Sequence, residues 1–133
     1  MKALVIPELD PVFEVDLVTG SDGSRLKQLQ DLVGGIIEAV PVEAPETTCY
    51  VHGEGKFVHG LNPRATLLLT RVFPTLFDDP DHHDYIAGPA VLVGFLPARG
   101  DDPVTGGHSD LPAEVAQAVW NLPHATERIE VLS

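Results

Sequence analysis

Four polar residues in the first half of the chain could hold a ligand: Glu38, Asn62, Arg64 and Thr66. Glu38 sits in "LVGGIIEAVPV", a lone carboxylate among apolar residues. It reads either as a carboxylate lining a ligand pocket at the sheet surface or as a residue on a sheet face partly open to water and paired with a Lys or Arg, since burial without a donor would be costly. The other three fall in "GLNPRAT", where Asn62 can cap a helix and Pro63 fits its first position. Free backbone N–H groups there, beside a guanidinium, suit an anion such as a phosphate or nucleotide. The plainer alternative makes Asn62 a cap and leaves Arg64 in water.

A second group, "DDPDHHD" at residues 78 to 84, brings aspartates and histidines together, with His52, His59 and His108 elsewhere. Imidazoles and carboxylates are metal ligands, but these spacings match neither a zinc helix nor a calcium loop, which aim their ligands at one point. A solvated acidic loop is the simpler reading, and no metal ligand and no cofactor is assigned. Cys49 falls in an expected strand, and no nucleophile elbow or phosphate loop surrounds it; the Lys of "GEGKFVHG" is followed by Phe. No catalytic residue is therefore assigned, and an enzyme using the Asp/His loop is kept only as an alternative.

Charge narrows the partners. Twenty acidic residues against eight basic ones give a net charge of −12, which makes direct nucleic-acid binding unfavourable, because that binding depends on Lys and Arg displacing counterions. Basic partners are favoured instead. No apolar run approaches the roughly 20 residues of a membrane helix, and the first seven residues are too quickly interrupted for a secretory leader. With one cysteine no internal disulfide forms. The expectation is a cytoplasmic protein without a membrane anchor, located in the host cytoplasm if a phage encodes it.

The elements that must position these residues follow from the spacing of apolar side chains. Residues 2–7 and 12–18 read as strands, the second with an apolar and a wet face. Ser24 opens a helix whose Leu26, Leu29, Leu32 and Val33 form one stripe, and Gly34 supplies a left-handed cap. Residues 36–42 then read as a central strand, with Ile37 and Ala39 on one face and Ile36, Glu38, Val40 and Val42 on the other, both apolar apart from Glu38. A tight hairpin is expected over 49–59, a helix over 63–73, and a strand over 91–95 with a bulge at Gly94. A last helix runs to Pro123, with Val119 and Trp120 as its anchor and a homodimer contact there as a hypothesis. The fold class is α+β: a single domain with a mixed or mainly antiparallel sheet of five to six strands, two packed helices and a C-terminal helix. Residues 1–96 form the core, and 97–133 add a flexible loop and the C-terminal helix packed on it.

The ordered set "LVGGIIEAVPV", "GEGK", "GLNPRAT" and "DYIAGPAVLVG" resembles the family catalogued as domain of unknown function 3846, over about residues 1 to 96. "GGIIEAV" and the residues Asn62, Arg64 and Ala65 carry the resemblance most specifically. It implies an accessory protein of phages, plasmids or conjugative elements, often actinobacterial, and implies no chemistry. Together with the charge, this favours a small acidic non-catalytic binding protein acting on a host component, of a counter-defence or host-takeover type. The alternative is a sponge enclosing a small nucleotide-like ligand near Glu38 and Arg64.

Overall fold

The structure, a computed structural model, describes residues 2–17, 24–40, 47–54, 60–72, 86–96, 107–123 and 125–128. Its centre is an antiparallel sheet built from β1 (Lys2–Ile6), β2 (Phe13–Asp16), β3 (Ile37–Val40), β4 (Thr47–His52), β5 (Ala90–Leu96) and β6 (Gly107–Ser109). The lateral order is β2-β1-β5-β4-β3, and β6 pairs with β5 beyond the end of β1. Every pairing is antiparallel, which confirms the α+β class.

Helices cover both faces. α1 (Ser24–Val33) lies over one, where Leu29 and Val33 pack with Ala3, Val5, Val91 and Val93. On the other face α2 (Pro63–Val72) and α3 (Ala113–Trp120) bring Ala65, Leu68, Val115 and Val119 onto Leu4, Ile6, Cys49 and Leu92. The alternation along β1 explains the division, since successive side chains point to opposite faces of a strand. Ala3 and Val5 serve one core, Leu4 and Ile6 the other. Among the described residues no helix is long and apolar enough to cross a membrane.

The glycine pair after α1 does two different jobs. Gly34 has φ 86° and, with Gly35, donates its N–H to the Gln30 carbonyl, closing the helix as expected. At Gly35 a Cβ would lie 2.4 Å from His52 Nε2, so the imidazole occupies the space a side chain would need.

Two expectations need correction. Among the described residues β3 is an edge strand: it pairs with β4, and β5 fills the central position. Gly94 stays in register with both Thr47 and Ser109, so it marks no bulge. α3 joins α2 in the same core, with Val119 fully buried. The second arm of the expected 49–59 hairpin, and the Leu26 side chain, lie outside the described residues.

Candidate functional site

The start of α2 is a buried polar corner. Asn62 caps the helix through Oδ1, which accepts the Ala65 N–H at 3.0 Å. Its Nδ2 donates to the carbonyls of Ile6 at 2.7 Å and Gly88 at 2.9 Å, and its backbone N–H donates to the Ile86 carbonyl. Thr66 Oγ1 donates to the Asn62 carbonyl and accepts the Ile86 N–H, both at 2.8 Å. The helix is thereby tied to the end of β1 and to the segment entering β5.

Arg64 is also buried. Its Nη1 donates to the Glu127 carbonyl at 2.8 Å, with the Ala125 carbonyl at 3.5 Å, and Nη2 donates to the Asp10 carbonyl. Burial pulls its pKa down and the Asp10 charge opposes this, yet a guanidinium keeps its proton in proteins. The side chain therefore clamps the turn before β2 and the C-terminal segment together. The solvated alternative does not hold: Arg64 is 3 % exposed, and Nη1 and Nη2 both donate to carbonyls of the chain itself.

Glu38 lies elsewhere. It faces the same side of the sheet as Val40 and Val51 but beyond the cover of α2 and α3, and it is exposed. Asp10 leads into β2 at one edge of the sheet, whereas β3 is the opposite edge, so β5 and β4 intervene between β1 and β3. At about 4.8 Å per strand that separation is roughly 14 Å. The structure brings Asn62, Arg64 and Thr66 together at the start of α2 and places Glu38 on a strand at the far edge of the sheet.

The β3 edge is what the sequence reading missed. Ile37, Glu38, Ala39 and Val40 stand opposite His52, Val51, Tyr50 and Cys49. Among the described residues nothing pairs on the other side. Ile36 is 66 % exposed, and Glu38 and Ala39 are exposed. An open cleft of about 540 Å³, lined by Gln30, Asp31, Gly34, Gly35 and Ile36, adjoins the start of the strand. The signal was present in the sequence: a charge in the middle of an apolar strand is a common device for keeping an edge from pairing indiscriminately.

Of the expected interface pair, Val119 is buried in the chain's own core while Trp120 is 37 % exposed. Only Trp120 remains accessible to a partner. Cys49 is fully buried and desolvation pushes its thiol pKa up to about 12, which suppresses the thiolate a nucleophile requires. The 78–84 loop lies outside the described residues. Among the described residues no group of three or more His, Cys, Asp or Glu side chains converges on a metal position.

The sequence pattern of the family described as domain of unknown function 3846 matches residues 1–117. The match covers most of the chain and extends beyond residue 96, taking in β6 and the first part of α3. No curated protein and no solved structure matches. The chain belongs to the domain of unknown function 3846 family.

Proposed function

We propose, with that membership as the premise, that the protein is a non-catalytic binding protein of a phage or mobile element, acting on a host component through its acidic surface. The observation that carries this reading is the charge balance at the surface. Among the described residues nine Asp and Glu side chains are exposed, against three basic ones, Lys2, Lys27 and Arg128. Lys27 and Arg128 lie within ion-pair distance of Asp31 and Asp10. The field left over is negative, and it favours a basic surface while repelling a phosphate backbone.

The polar side chains best suited to an anion support the same reading, because Asn62, Arg64 and Thr66 make their hydrogen bonds within the chain. A host protein that itself handles nucleic acid fits the required chemistry, since its basic surface would meet carboxylates in place of phosphates. The test is affinity capture from a lysate of the cell in which the protein is made, at low and at raised salt. A specific basic protein that is retained at low salt and released steeply as salt rises is expected. Recovery of nothing above background, or of a partner indifferent to salt, would count against this function.

A further inference from the structure

We propose that the free edge of β3 docks an extended, lysine- or arginine-bearing segment of a partner protein, which adds to the sheet as a new strand with its basic side chain opposite Glu38. The inference rests on the binding role above and gives it a place. Its first support is the direction of the backbone groups. Gly53 donates its N–H to the Ile36 carbonyl at 2.7 Å, so residues 36 and 53 form a hydrogen-bonded pair. In an antiparallel ladder such pairs alternate with non-bonded ones. Glu38 and Val40 therefore bond to Val51 and Cys49, while the N–H and C=O groups of Ile37 and Ala39 point away from β4. Two donors and two acceptors have no strand partner among the described residues, in the spacing an added strand takes up.

The side chains specify what that strand carries. Ile36 and Glu38 lie on one face, two residues apart, and both are exposed. Exposed Asp31 and Glu54 stand at the start of the same edge, with Lys27 3.7 Å from Asp31. A docked strand meets a negative charge at Glu38 and an apolar surface at Ile36, and the cleft beside Ile36 leaves room for the residue that faces it. A basic residue and an apolar residue alternating along one face complement this pattern.

A second copy of the chain fits poorly. The antiparallel register that uses both Ile37 and Ala39 sets the two Glu38 carboxylates directly opposite one another, and like charges in that position are destabilising. Each copy also carries a net charge of −12. The same carboxylate thus opposes self-pairing and selects a basic strand.

The probe is a short synthetic peptide of repeating lysine-threonine-valine-threonine, with glutamate replacing lysine in the control, titrated into the full-length protein and followed by amide chemical shifts. Shifts centred on Ile37 and Ala39 are expected with the lysine peptide only. Ala39→Pro removes an outward N–H without breaking a bond to β4, and should weaken binding at least tenfold. Glu38→Lys should reverse the preference between the two peptides, which a merely misfolded variant cannot do. The absence of shifts at β3, undiminished binding by Ala39→Pro, or a wild-type dimer that Ala39→Pro dissolves would each overturn the proposal. Lysate capture that survives Ala39→Pro would remove the edge while leaving the binding role standing. Peptide shifts at β3 without any captured partner would do the reverse.

Discussion

The Asn62 corner and the β3 edge carry the two most specific stretches of the sequence, and they use polar groups in opposite ways. At the corner, side chains from "LNPRAT" satisfy backbone groups contributed by four separate parts of the chain, and the polar atoms turn inward. At the edge, only one side of the "IIEAV" backbone is paired among the described residues, and Glu38 is exposed. The contrast shows why residue type alone misleads. An arginine at a helix start reads as solvated and a carboxylate in an apolar strand reads as part of a central strand, but neighbours distant in sequence decide both cases.

The comparison can be broken most forcefully at Asn62. Asn62→Ala removes the cap and leaves the carbonyls of Ile6 and Gly88 short of a donor in a buried place. It should lower stability by about 3 kcal/mol, read from urea denaturation. Arg64→Met preserves much of the volume but releases Asp10, Ala125 and Glu127. A loss of about 2 kcal/mol is expected, with faster proteolysis of the segment at 125–128 as the sign that the clamp has opened.

Cys49 sharpens the contrast from the inner side of the edge, because it pairs with Val40 across the β3–β4 ladder yet is fully buried. Its folded pKa of about 12 stands above the thiol's ordinary value near 9. Between these values the unfolded chain loses the proton first, so the stability held below pH 9 falls as pH rises. The expected slope reaches about 1.4 kcal/mol per pH unit. Cys49→Ser is not a neutral control, since it buries a hydroxyl, whereas Cys49→Ala should flatten the slope. Denaturation midpoints at successive alkaline pH values provide the check.

The smallest effect belongs to Glu38. Glu38→Thr should change stability by no more than about 0.5 kcal/mol, because the side chain is exposed and threonine suits a strand. Its consequence should appear instead in association, as self-pairing visible by sedimentation at high protein concentration. Corner and edge would then separate cleanly, one governing folding and the other contact with partners.

Much of the local structure was legible. The Asn62 cap followed from a side-chain acceptor just before proline, and the Gly34 cap from a glycine closing an apolar stripe. The alternation in β3 correctly placed Ile37 and Ala39 on the face opposite Glu38 and Val40. What stayed hidden was non-local. A strand with two apolar faces reads as central whether its neighbours are strands or helices, and nothing within residues 36–42 reveals that β5, far along the chain, takes the middle. Arg64 looked solvated because its carbonyl partners come from residues 10, 125 and 127. Val119 and Trp120 were read as one anchor, but successive helical residues are turned by about 100°, and only Val119 faces the core.

Amide hydrogen exchange in the free protein, resolved residue by residue by NMR, tests the β3 edge most directly. The account predicts rapid exchange at Ile37 and Ala39, with Glu38 and Val40 protected beside them and Ala65 protected at the corner. Equal protection at all four β3 amides would contradict it, because the outer row of hydrogen-bonding groups would then already be covered.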